Sequence, residues 1–251
     1  LAKKSKSKHK QLDIPLNIID TKEPPQQRKK FHHKDLIQYQ PLTHNQKILF
    51  DTFRNYKDKH LALLGTAGTG KTFSALFLAL NEYLSSGEYD HIVIIRSCVA
   101  SREIGYLPGT EEEKSAVYEA PYISICNELF KFSNSYESLK KLDIVNFNTS
   151  SFLRGTTFNN CIVIVDEIQN FSWQELDTIM TRIGKNSRLI LCGDIKQNDL
   201  NKHKNDVSGF DKLYQIIVNM DDFEIIEFGI EDIVRSGFVK NYIIAKEKTG
   251  N

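Results

Sequence analysis

The octapeptide Gly65-Thr66-Ala67-Gly68-Thr69-Gly70-Lys71-Thr72 narrows what this chain can fold into more than any other feature. It has the form GxxxxGK[ST], preceded by an apolar, strand-like run (60–64, HLALL) and followed by a segment of helical length and composition (72–84, TFSALFLALNEYL). The spelling has a physical reason. Glycines let backbone N–H groups close around phosphates at a helix N-terminus, where the helix dipole also favours anions. Residues 65–72 therefore read as a nucleotide-binding loop, with Lys71 reaching the β- and γ-phosphates of ATP and the Thr72 hydroxyl holding Mg2+.

The remaining apolar runs fit around that loop. Residues 91–95 (HIVII), 144–147, 161–165 (CIVIV), 188–192 (RLILC) and 224–228 (EIIEF) read as strands, and several are continuous rather than alternating. Such runs mean strands covered on both faces by helices, hence a wound, mostly parallel sheet. Helices are expected at 44–57, at 172–183, opening on a Ser172/Glu175 capping box, and at 209–220. Residues 98–140, rich in Glu, Tyr and Ser, read as an insertion near the carboxyl ends of the strands. The expected fold class is α/β, a RecA-like P-loop NTPase at 37–251 behind a flexible basic N-terminal arm at 1–36.

Chemistry gathers where those strands end. The run CIVIV enters Asp166-Glu167-Ile168-Gln169. An acid at the end of a buried strand is costly unless a cation repays it, so Asp166 is the expected metal carboxylate, acting directly or through water. Glu167 beside it can orient and deprotonate the attacking water. RLILC ends in Gly193-Asp194-Ile195-Lys196-Gln197, which puts the Gln197 amide in reach of the γ-phosphate or the water. Gln46, nineteen residues before Gly65, is placed to read the adenine edge.

Charge divides the chain unevenly. Residues 1–34 carry ten Lys/Arg against Asp13, Asp20 and Glu23, a net of +7, while the rest has 23 basic and 29 acidic residues, a net of −6. A basic arm on an acidic body is either an electrostatic handle for nucleic acid or a solvated tail. Leu1 in place of an initiator Met suggests that the full-length protein extends further. No apolar run approaches the roughly 18 residues of a membrane span. Cys98, Cys126, Cys161 and Cys192 form no CxxC pair and read as buried thiols, which suits a cytoplasmic protein.

Taken in order, GTAGTGKT, VDEIQN, TRIG and GDIKQ resemble the PhoH-like proteins, relatives of the superfamily 1 helicases. The family-specific blocks agree: GYLPGTEEEK with Tyr118 and Pro121 at 105–122, FLRGTTF at 152–158, and Val234-Arg235-Ser236. Departures from the family pattern are Ile168, Phe152 and Thr156, the last two weakening any nucleic-acid role for their block. The resemblance covers about 42–245 and implies an ATPase of bacteria or phages, tied to phosphate stress and to RNA or other nucleic-acid metabolism.

Three functions stay open. An oligomeric ATPase acting on single-stranded nucleic acid, RNA before DNA, accounts for the arm and the helicase-like motifs. An ATP-driven switch acting on a protein partner would suit the acidic body. A nucleotide-binding regulator with negligible turnover sits badly with an intact Lys71, Asp166, Glu167 and Gln197. Helicases close their ATP site between two lobes and one fits here, so a homo-oligomer, with a six-membered ring the usual RecA-like count, is expected to supply the second wall. Arg235, or failing it Arg182, would then stabilise transition-state charge in a neighbour's site.

Overall fold

The computed structural model describes residues 31–97, 111–150, 155–194 and 209–248. Its frame is a six-stranded sheet in the order β3-β2-β4-β5-β1-β6, every neighbouring pair parallel. The strands are β1 (His60–Gly65), β2 (His91–Arg96), β3 (Val145–Thr149), β4 (Cys161–Asp166), β5 (Arg188–Gly193) and β6 (Phe223–Phe228). β4 and β5, the two middle strands, are buried along their whole length. Edge strands β3 and β6 are only partly covered, which is why their sequences mix polar residues into the apolar run.

Side chains alternate between two apolar layers, as the pleat requires. Leu61, Leu63, Ile92, Ile94, Ile162 and Ile164 face one layer, with α1 (His44–Asn55), α2 (Lys71–Ser86) and α3 (Glu111–Phe130). Ala62, Leu64, Val93, Ile95, Val163 and Val165 face the other, with α5 (Trp173–Met180) and α6 (Phe210–Ile217). The remaining helices are α4 (Ser135–Lys141) and α7 (Gly237–Lys248). Helix α5 opens on the expected capping box: Ser172 N–H donates to Glu175 Oε2 at 2.8 Å and Glu175 N–H to Ser172 Oγ at 3.4 Å.

The structure adds detail to two expectations. Part of the segment read as an insertion is regular structure: α3 lies in the crossover from β2 to β3 and drives Tyr122, Cys126 and Leu129 into the core. Pro121 inside α3 hid it, since proline ordinarily ends a helical pattern. The compact unit also begins at Phe31 rather than after residue 36. Phe31 packs on Phe130 and Phe132, and Leu36 is buried. Residues 1–30, which carry most of the basic arm, lie outside the described residues, as does Cys98. Cys126, Cys161 and Cys192 are buried free thiols. Among the described residues no helix is long and apolar enough to cross a membrane.

At the amino-terminal end of the sheet a cation is buried whole. Arg188 is 2% exposed and donates to the carbonyls of Phe53 (2.8 Å), Tyr56 (2.9 Å) and Lys59 (3.1 Å), its guanidinium 3.8 Å from the Phe53 ring centroid. It satisfies carbonyls at the C-terminus of α1 that the helix itself leaves without donors.

Candidate functional site

The carboxyl ends of β1, β5, β4 and β2 stand side by side, with Arg96, Asp166 and Cys192 level in the strand register. The phosphate loop runs from β1 into α2. Gly65 (φ +125°) is forced: a Cβ there would sit 2.0 Å from the Phe228 carbonyl oxygen. Gly70 (φ +81°) begins the turn that lets α2 start at Lys71. The Lys71 ammonium donates to the carbonyls of Gly65 (2.9 Å) and Thr66 (2.8 Å), inside the loop. Burial pulls its pKa down, and the carboxylates of Asp194, Glu167 and Asp166 work against that fall.

Asp166 ends β4, 3% exposed, and both its oxygens are engaged. Thr72 Oγ1 donates to Oδ1 at 2.8 Å, and Tyr122 of α3 donates its hydroxyl to Oδ2 at 2.9 Å. A hydroxyl and a carboxylate side by side are hard oxygen donors, and Mg2+ characteristically uses one or two such groups with water and phosphate completing its shell. Among the described residues no group of three or more His, Cys, Asp or Glu could hold a metal unaided. The pair therefore fits a Mg2+ that arrives with a nucleotide.

Glu167 adopts φ +57°, a left-handed backbone that costs a residue with a Cβ about 1–3 kcal/mol. The strain turns its carboxylate into the cavity that Lys71 lines. Gln169 holds it there, its Nε2 donating to Glu167 Oε2 while its Oε1 accepts the Asp194 N–H at 3.0 Å. Gly193 makes room for this clamp, since a Cβ would lie 2.5 Å from Ile168 Cγ1. Burial, then the neighbouring Asp166, raises the Glu167 pKa, while Gln169, Arg96 and Lys71 lower it. The net direction is upward, toward the range in which a carboxylate is a useful proton acceptor at neutral pH.

One cavity of about 650 Å3 joins these groups to Gln46, Tyr39, Arg96 and Arg235. Gln46 fastens the chain before α1 to the phosphate loop: its Nε2 donates to the Thr69 carbonyl (3.0 Å) and its Oε1 accepts the Leu42 N–H (2.8 Å). Val234 N–H donates to the Gly68 carbonyl at 3.1 Å, and the Arg235 stem packs over Gly68. Arg235 thus stands beside its own chain's phosphate loop. Arg182 belongs to the turn after α5, beside Phe158 and the amino end of β4, and does not line the cavity. Gln197 lies outside the described residues, as do 105–110 and 152–154 of the family-specific blocks.

Sequence reasoning missed Arg96, Tyr122 and Gln169. Arg96 carried the same signal as Asp166, an ionisable residue at the end of a buried strand. Tyr122 follows Pro121 in a pair whose use the pattern does not reveal, and Gln169 follows the acidic pair by two residues.

Comparison with known proteins agrees with this geometry. Residues 38–247 match the model of the PhoH family, described as PhoH-like protein. The PhoH-like protein of Synechocystis is 31% identical over 189 residues, 75% of this chain and 56% of its own length. That of Bacillus subtilis is 31% identical over 186 residues, 74% of this chain and 57% of its own. Protein PhoH of Escherichia coli is 32% identical over 183 residues, 72% and 51% respectively. The chain spans little more than half the length of these curated relatives.

Proposed function

The chain belongs to the PhoH-like family, and from that premise we propose that it binds and hydrolyses ATP as an oligomeric ATPase acting on single-stranded RNA or DNA. One observation carries the hydrolytic part: Lys71, the Thr72–Asp166 pair and the buried Glu167 line a single cavity. The loop N–H groups bind the triphosphate, and Lys71 exchanges its bonds to the Gly65 and Thr66 carbonyls for bonds to phosphate oxygens. Thr72 and Asp166 would hold a Mg2+ that, when bound, would supply charge neutralisation at the phosphates. Glu167, fixed by Gln169, takes the proton of the attacking water. Gln197 reads the γ-phosphate, an assignment that rests on sequence.

Arg235 is the proposed cation for transition-state charge, and its place over Gly68 favours action within its own chain. One P-loop lobe supplies one wall of the site, so a second copy is proposed to supply the other. The basic arm provides the contact to phosphodiester chains. The test is steady-state ATP hydrolysis by the full chain with and without single-stranded RNA. Stimulation that fades as salt rises is expected; hydrolysis indifferent to every single strand tried would shift the reading to an ATP-driven switch on a protein partner.

A further inference from the structure

Asp166 is restrained from two sides, and only one of them is explained by the phosphate loop. Thr72 comes from the loop's own helix. The second restraint is Tyr122, from α3, 0% exposed, with its ring 5.8 Å from that of Phe147. Packing there would be served as well by phenylalanine, because a hydroxyl in a buried place is costly unless it is bonded. Its surroundings define what it does. Arg96 ends β2 opposite Asp166 in the register and lines the same cavity. A carboxylate can only accept, so the hydroxyl's single proton is committed to Asp166 Oδ2, 2.9 Å away.

We propose that Tyr122 is a positioning residue of the metal site: its hydroxyl fixes the rotation of the Asp166 carboxylate so that Asp166 and Thr72 meet a divalent cation already aligned. Groups of this kind, bonded to a ligand rather than to the metal, set ligand direction, and losing one costs about 10- to 100-fold in metal affinity. The proposal rests on the assignment of Thr72 and Asp166 as the magnesium-holding pair. It gives the Pro121-Tyr122 motif a use.

The experiment titrates Mn2+ into the ADP-loaded full chain and follows free Mn2+ by electron paramagnetic resonance. The parent should bind Mn2+, and Tyr122→Phe should weaken it by about tenfold or more, with ADP affinity in EDTA unchanged. The comparison variant is Tyr136→Phe, which also deletes a buried hydroxyl bonded to a carboxylate, Glu119 at 2.6 Å, but does not line the cavity. It should lose stability and keep the parent's Mn2+ affinity. Tyr122→Met, likewise without the hydroxyl and more adaptable in packing, serves if the phenylalanine variant does not fold. Parental Mn2+ affinity in either Tyr122 variant overturns the proposal, and so does failure of both to fold, which would make the hydroxyl a folding anchor. A parent that takes up no Mn2+ with ADP removes the assignment of the metal pair itself.

Discussion

Two cations are built into opposite ends of the same sheet, and they differ in how completely the protein answers them. Arg188, at the amino ends of the strands, has three carbonyls and an aromatic face around it and does not line the cavity. Lys71, at the carboxyl ends, holds two loop carbonyls and borders a cavity with Asp166, Glu167 and Asp194 on its walls. The first is a closed account of hydrogen bonds. The second leaves groups that a phosphate can answer. In open α/β sheets ligands bind beyond the carboxyl ends of the strands, and the cavity lies at that end here.

The sharpest contrast comes from removing each cation in turn. Lys71→Ala should abolish nucleotide binding and turnover in an equilibrium and steady-state assay, while leaving the melting temperature within a few degrees. Arg188→Met should do the reverse. Removing the Arg188 donors to the Phe53, Tyr56 and Lys59 carbonyls, of which Tyr56 keeps the Lys59 N–H, costs about 3 kcal/mol, a fall of roughly 6–12 °C in Tm, with nucleotide affinity retained in the folded protein. Equal loss of binding in both variants would erase the distinction between the two ends.

A smaller effect sharpens the reading of the open end. The Glu167 pKa is raised by burial and by Asp166, and the hydrogen bond from Gln169 is one of the forces lowering it. Hydrolysis should therefore fail, as pH falls, above the ordinary Glu value of about 4.3. Gln169→Leu removes a lowering influence, so the acid limb of the pH–rate profile should move to higher pH. A limb that stays put would show that Gln169 holds only the backbone of the turn.

How far the sequence carried depends on how local each signal was. The phosphate loop, Thr72, Asp166 and Glu167 are adjacent in sequence to strand ends whose continuous apolar runs mark them, and the structure brings these residues together. Helix α5 was legible because its cap is written in four residues, Ser172 to Glu175. Tyr122 was not, for its partner lies 44 residues away in sequence and its helix contains a proline. The same holds for Arg235. A sequence argument can count lobes and suggest a neighbour, but only the fold shows the Val234 N–H on the Gly68 carbonyl and the arginine over its own loop. Arg188 escaped notice because an arginine opening a strand is ordinarily a surface residue.

Glu167 is where the account of the open end is most exposed. In Glu167→Gln the amide keeps the shape of the side chain but cannot take a proton at neutral pH. Measured side by side, ATP affinity should stay close to that of the parent while the single-turnover hydrolysis rate drops by about 10²- to 10⁴-fold. Hydrolysis at the parental rate would contradict the assignment of Glu167 as the base, and with it the claim that the carboxyl end of this sheet is built to split ATP.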